Sequence, residues 1–339
     1  MPTTSRRGAR RALTTTVAAA LTALLLAACG TTEDASDDAS STAKASSGPV
    51  EVKDERGTVR LDAPAANIVS LEWGLTETLL ALGVKPVGAA DVKGYNVWDK
   101  SIALEPSTPD VGTRGEPSLD AIAALKPDLV VSVTDVPENV LAQIEKTAPV
   151  LALRGSDSTD PIGYMRRTVE TLATITGTED KGKELLAGFD KKIEDGKAAL
   201  AKAGKAGGPF VMADGWVDSG TVSIRMFTPG SFFGAIGQEL GLKSQWTSGG
   251  DKDYGLAQTD LEGLTKITDP KTSFVYVAND GEANSTFIKS VESNAVWKQL
   301  PFVKTGGNVH RLPDGIWMFG STPSAEAYVD AVVDALAGS

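Results

Sequence analysis

Apolar and polar positions divide the chain into three regimes. From Ala12 to Ala28 nearly every position is Ala, Leu, Val or Thr, behind four arginines (Arg6, Arg7, Arg10, Arg11) and no acid. From Thr31 to Gly48 there is no large apolar residue at all. Beyond Val50, short apolar runs alternate with stretches in which apolar residues recur at helical spacing. The first regime is too short and too rich in Ala and Thr to favour a permanent span, and with its basic start it predicts an export signal over 1–28. It closes on Leu26-Ala27-Ala28-Cys29-Gly30. Small residues there suit a signal peptidase, and a cysteine at the first mature position predicts the acceptor of a diacylglyceryl lipid. Ser5-Arg6-Arg7 resembles a twin-arginine start, but Gly8 and Ala9 depart from it, so either export route remains open. The second regime cannot bury enough surface to offset its ordering entropy, so 29–49 is expected to be a lipid-anchored, disordered tether. The expected location is the cell membrane, on its extracytoplasmic face.

The third regime repeats itself. Ile68-Val69-Ser70-Leu71 is followed by Glu72-Trp73-Gly74 and a helical pattern ending Leu82-Gly83. Thr221–Phe227 is followed by Thr228-Pro229-Gly230 and a helical pattern ending Leu240-Gly241. A second pair of echoes runs from Ser118 through Lys126-Pro127 into the apolar run Leu129–Val133, and from Asp260 through Asp269-Pro270 into Phe274–Val277. Each echo reads as strand, loop and helix, with Gly suited to the left-handed residue that ends a helix and Ser118 or Asp260 suited to capping one. Such alternation predicts α/β architecture: two doubly wound lobes with parallel sheets. Between the echoes Leu185, Leu186, Phe189, Ile193 and Leu200 hold helical spacing until Gly204. One long, stiff helix over 178–204 is therefore expected to bridge an N-terminal lobe, 50–177, and a C-terminal lobe, 205–339. The apolar positions do not sustain a heptad, so a coiled-coil arm is disfavoured and a monomer is expected.

Composition removes several classes of chemistry. Cys29 is the only cysteine and His310 the only histidine. Histidine-cluster metal capture and cysteine nucleophiles are thus excluded, and a hydrolase on this chain would depend on His310. Of 33 basic residues, the four in the signal leave 29 against 44 acidic ones. A mature net charge of −15 argues against nucleic acid. The run Gly177–Glu184 mimics a phosphate loop, but Glu184 replaces the Ser or Thr that holds magnesium. The glycine after Ser231 falls one place late for a nucleophile elbow. No enzyme motif survives, and no cofactor is expected.

In doubly wound lobes the working residues sit in loops after strands, around a cleft. Those loops are rich in aromatics: Trp73, Tyr95, Trp98, Trp216, Trp246, Tyr254, Trp317 and Phe319. Aromatic side chains give rigid contact area at low entropic cost. Trp297, in a helix-like run, is assigned to core. The same loops carry Arg114, Arg154, Arg225 and Arg311. A guanidinium fork grips paired oxygens, and surface ion pairing competes as the reading of Arg154 and Arg311. Aromatic walls with guanidinium forks suit a bulky, oxygen-rich, partly apolar ligand.

The residues Ile68–Asp91, Gly94-Tyr95-Asn96, Asp110–Leu119, Leu125–Leu129, Trp297–Val303 and Ile316–Gly320 together resemble the substrate-binding lipoproteins of iron–siderophore ABC importers. The resemblance covers about 50–335 and leans to the ferric-hydroxamate branch, which takes ferrichrome and ferrioxamine. It implies two α/β lobes bridged by a rigid helix, a class III solute-binding fold. It implies a ferric siderophore as ligand, with iron held by the siderophore and not by the protein. Arg114 would contact the hydroxamate oxygens, with Trp98, Trp246, Tyr254, Trp317 and Phe319 lining the cleft beside Trp73. It also implies an ABC permease as partner, docked through Asp120 and Glu262, with Glu116 in reserve. Two positions depart from the branch. Thr134-Asp135-Val136-Pro137 replaces a tyrosine after the strand, and Tyr254 stands where the branch tends to have tryptophan. Arg225 is expected to stand in for the lost oxygen contact. Ferric catecholate, cobalamin or haem on the same fold is the alternative, and a lipid-anchored hydrolase is disfavoured.

Overall fold

A computed structural model describes residues 48–278 and 287–338. The signal segment, Cys29 and the tether up to residue 47 lie outside the described residues. Among the described residues no helix is long and apolar enough to cross a membrane.

The N-terminal half opens with a hairpin, β1 (Val50–Lys53) and β2 (Thr58–Leu61). It continues through β3 (Ile68–Ser70), α1 (Trp73–Ala81), β4 (Gly88–Ala89), α2 (Val92–Trp98), α3 (Leu119–Leu125), β5 (Leu129–Val133), α4 (Glu138–Ile144), β6 (Val150–Leu153) and α5 (Pro161–Thr176). The four strands β3 to β6 form one parallel sheet in the order β4–β3–β5–β6. The sheet is buried on both faces, as continuous apolar runs require. Leu129, Val131 and Val133 pack on one side with Ile68 and Leu151, while Val130 packs on the other with Val69 and Val150. Ser118 caps α3 as its position implied, accepting the Ala121 N–H at 3.3 Å.

The long amphipathic pattern is α6 (Glu179–Lys202). Thr178 stands at its N-cap and Gly204, with φ 73°, lies just beyond its end. Phe189 and Leu200 are buried, and α6 packs on α5 to one side. Gly196 lets a second helix approach: a Cβ there would lie 2.6 Å from Val329 Cγ1.

The C-terminal half comprises β7 (Pro209–Asp218), β8 (Thr221–Phe227), α7 (Phe232–Glu239), β9 (Lys243–Ser244), β10 (Leu256–Thr259) and β11 (Ser273–Tyr276). Three short helices come next, α8 (Phe287–Val291), α9 (Ala295–Gln299) and α10 (Pro301–Thr305), then β12 (Val309–Arg311) and α11 (Thr322–Ala337). Its sheet corrects one expectation. The order is β10–β8–β7–β11–β12, with β9 on β7, and the β7–β8 and β8–β10 pairs are antiparallel. The cause is local. Asp218 pairs with Thr221, leaving Ser219 and Gly220 as a two-residue loop, both at positive φ (48° and 82°). That is the turn whose twist matches a hairpin, so β8 folds straight back on β7 instead of crossing over. The Asp260 echo also shortens. Asp260 Oδ1 accepts the Gly263 N–H at 2.8 Å, but the segment it caps is a single 3₁₀ turn, Gly263–Lys266.

Candidate functional site

The loops after β3, β4, β5 and β6 meet the loops before α11 and around β8 and β10. They enclose a cavity of about 630 Å³ between the two halves, a normal size for a small-molecule site. Its aromatic wall is a chain of edge-on contacts. Trp317 lies 4.9 Å from Trp73, 6.4 Å from Trp98 and 5.2 Å from Phe319, and Phe319 lies 5.3 Å from Tyr254. Trp73 is the first residue of α1 and is held by its indole N–H, which donates to the Ala90 carbonyl at 3.3 Å. Trp98 ends α2, a helix where the sequence pattern suggested a loop.

Arg114 reaches into this wall from the loop before α3. Its guanidinium carbon sits 4.0 Å from the Trp73 ring centroid and 5.1 Å from that of Trp317. One terminal nitrogen donates to both oxygens of Glu72, at 3.1 and 3.2 Å. Glu72 is mostly but not fully buried, and this desolvation pushes its carboxyl above the usual range while the Arg114 charge pulls partly the other way. Sequence reasoning passed over Glu72, although it immediately precedes Trp73.

Arg225 also lines the cavity. It stands opposite Asp214 in the β7–β8 register, donates from Nε at 2.9 Å, and makes a second contact through a terminal nitrogen. That nitrogen also meets Met318 Sδ at 3.4 Å. Burial raises the Asp214 carboxyl while Arg225 opposes the rise. Arg154 lines the cavity too, held by Asp157 at 2.7 Å and Glu55 at 3.3 Å. Arg311 does not line it, and pairs with Asp314 at 2.6 Å.

Tyr254 crosses between the halves, donating its hydroxyl to Asp135 Oδ2 at 2.5 Å. Burial, and then the adjacent Asp135 charge, raise the phenol far above its ordinary value. Gly155 makes room for it, since a Cβ there would collide with the Tyr254 hydroxyl.

Of the expected aromatic residues, Trp246 is misplaced. It lies in the C-terminal core with Val211, Ile224 and Phe274, outside the cavity. Ser244 turns it inward: its hydroxyl both receives the Trp246 N–H at 3.3 Å and donates to the Trp246 carbonyl at 3.1 Å. Tyr95 is likewise fully buried, donating to the Ile102 carbonyl at 2.8 Å. Trp216 is the exposed exception, on β7 instead of in a loop. Trp297 is core, as assigned. His310 sits on β12 and not among the cavity residues, away from where the hydrolase reading needs it. Ser231 is the buried cap of α7, accepting the Gly234 N–H at 3.1 Å. Asp120, Glu116 and Glu262 are exposed, the first and last on opposite halves of the chain.

Two α/β halves, a stiff helix between them and an aromatic cavity at their junction define a solute-binding protein. The chain belongs to the periplasmic binding protein family, whose pattern matches residues 68–314. It is 31% identical over 258 residues to the Fe(3+)-citrate-binding protein YfmC of Bacillus subtilis, covering 75% of this chain and 76% of that one. It is 29% identical over 274 residues to the iron(3+)-hydroxamate-binding protein FhuD of Escherichia coli, covering 80% and 87%. Among solved structures it resembles the siderophore-binding FhuD of Vibrio cholerae with bound Fe3+-Desferal. That match has a TM-score of 0.70 and 28% identity, and covers 80% of this chain and 97% of that one.

Proposed function

We propose that this protein captures a ferric siderophore of hydroxamate type in the inter-lobe cavity, hands it to an ABC permease, and performs no chemistry on it. The observation that carries the ligand class is the charge state of the wall. Three arginines line the cavity, a number that by itself would favour a trianionic catecholate complex. Each already faces a carboxylate: Arg114 faces Glu72, Arg225 faces Asp214, and Arg154 faces Glu55 and Asp157. A wall neutralised in this way matches an uncharged ferric trihydroxamate better than a polyanion. Haem is also less well served, because the Met318 sulfur is already engaged by Arg225.

A fluorescence titration of the full chain with ferrioxamine, ferrichrome, ferric enterobactin and haem tests the reading. Tryptophan quenching at micromolar concentration is expected for the two hydroxamates, with the catecholate at least tenfold weaker. Absence of quenching by every ferric siderophore ends it.

Delivery rests on two features of the chain. A diacylglyceryl group on Cys29, with the polar tether 29–49, would hold a monomeric carrier at the extracytoplasmic membrane face and raise its effective concentration there. Asp120 and Glu262, exposed on opposite halves, would then meet the permease, with Glu116 beside them. Helix N-terminal stabilisation accounts for Asp120 independently and does not compete with docking. In cells dependent on ferric hydroxamate, Cys29→Ser should release the protein to the medium. The Asp120→Lys, Glu262→Lys double variant should abolish iron uptake without changing ligand affinity. Uptake at the parental rate in the double variant would remove these acids from the docking surface.

A further inference from the structure

The wall of the cavity carries five charged side chains: Glu72, Arg114, Asp135, Arg154 and Arg225. Four of them are compensated by the ion pairs described above. Asp135 is the exception. Among the described residues no cation pairs with it, and its contact is the hydroxyl of Tyr254. It stands in the loop after β5, exposed at the cavity rim. The Tyr254 ring, edge-on to Phe319, lines the cavity alongside it. A carboxylate with no cation partner, beside a tyrosine ring, attracts an alkylammonium group first by its charge and then by the ring quadrupole.

We infer that Asp135 and Tyr254 form a subsite for a protonated amine, and so select siderophores whose ferric core is uncharged but whose backbone ends in a primary ammonium group. This rests on the siderophore reading above and specifies it further. The paired arginines face the iron-bound oxygens, and Asp135 takes the ammonium group. Because Asp135 is exposed at the rim, the pair is partly screened, and its contribution is the modest one of a surface ion pair supplemented by the aromatic faces.

The test compares two probes with the same iron centre: ferrioxamine B, which ends in a primary amine, and its N-acetyl derivative, which is neutral. Both are titrated into the full-length chain and into Asp135→Asn, which keeps an acceptor for the Tyr254 hydroxyl. The native chain should bind the amine form about three- to tenfold more tightly, a preference that shrinks with added salt. Asp135→Asn should bind both forms alike, with its affinity for the acetylated form within about twofold of native. The inference is overturned if the native chain does not discriminate, or if Asp135→Asn discriminates as well as the native chain does. Failure of both probes to bind the native chain would be a different result, since it strikes the siderophore reading itself.

Discussion

Replacing Arg114 with alanine should weaken ferric-hydroxamate binding by about 10- to 100-fold, the scale of a central arginine hot spot. The guanidinium is fixed before any ligand arrives. The Trp73 face lies beneath it at 4.0 Å, Trp317 flanks it at 5.1 Å, and both oxygens of Glu72 anchor one nitrogen. A donor so held loses little freedom on binding, which is what makes it effective. Arg56 is the control. It pairs with Glu138 at 3.0 Å and Glu145 at 2.8 Å, away from the cavity, so Arg56→Ala should bind normally. Equal losses in the two variants would take Arg114 out of the site. The Glu72→Gln, Arg114→Ala double variant separates two roles. It should regain the stability lost when Glu72 is left buried without its cation, but not the affinity.

The largest effect on stability is expected at Glu77, which no reading of the ligand site singles out. Glu77 belongs to α1 and is completely buried. Its carboxylate accepts the Ser321 N–H at 2.7 Å and the Ser324 N–H at 2.6 Å, capping the start of α11 from the other half of the chain. Glu77→Ala strands two buried N–H groups and leaves a cavity, and should lower stability by about 3–5 kcal/mol. Thermal unfolding should show a drop on the order of 10 °C, against almost none for Glu170→Ala at an exposed position. A drop as small as that of the exposed variant would mean that the contact is not structural.

Asp99 is buried, and the Glu77 carboxyl is its charged neighbour. Burial, and then the neighbouring Glu77 charge, push the Asp99 carboxyl strongly upward, and burial likewise raises Glu77. With two backbone N–H donors holding Glu77 in its charged form, Asp99 is the group that keeps a proton. An unfolded aspartate ionises near pH 3.9. Above that value the folded chain keeps a proton that the unfolded chain has lost. The pair's contribution to stability is therefore complete below about pH 4 and declines as pH rises toward the raised folded value. Asp99→Asn should flatten this decline and gain on the native chain between about pH 5 and pH 9 in denaturant titrations. Parallel slopes in the two proteins would show that the pair does not titrate.

Much of this molecule was legible from local pattern. Runs such as Leu129–Val133 are apolar at every position because the strand is covered on both faces, and Glu179–Lys202 is periodic because one side of it is covered. Loops after strands were expected to hold the cavity; Arg114, Trp317 and Phe319 line it from loops, while Trp73 and Trp98 line it from the helices that follow β3 and β4. The antiparallel pair β7–β8 was also encoded locally, in the Ser219-Gly220 turn, and with it the facing of Asp214 and Arg225.

Tertiary structure alone decided the rest, because it depends on which side of a packed layer a residue faces. Trp246 and Trp317 both sit in loops, yet one turns into the core and the other toward the cavity. Composition cannot separate them, since both aromatic rings leave water either way. Asp135 meets Tyr254 across 119 positions and Glu77 meets Ser324 across 247, so no spacing rule could pair them. The charge of the cavity belongs to this second category. Arginines can be counted along a chain, but a counterion acts through distance, and only the fold brings a carboxylate to each cavity guanidinium and, among the described residues, leaves Asp135 without a cation.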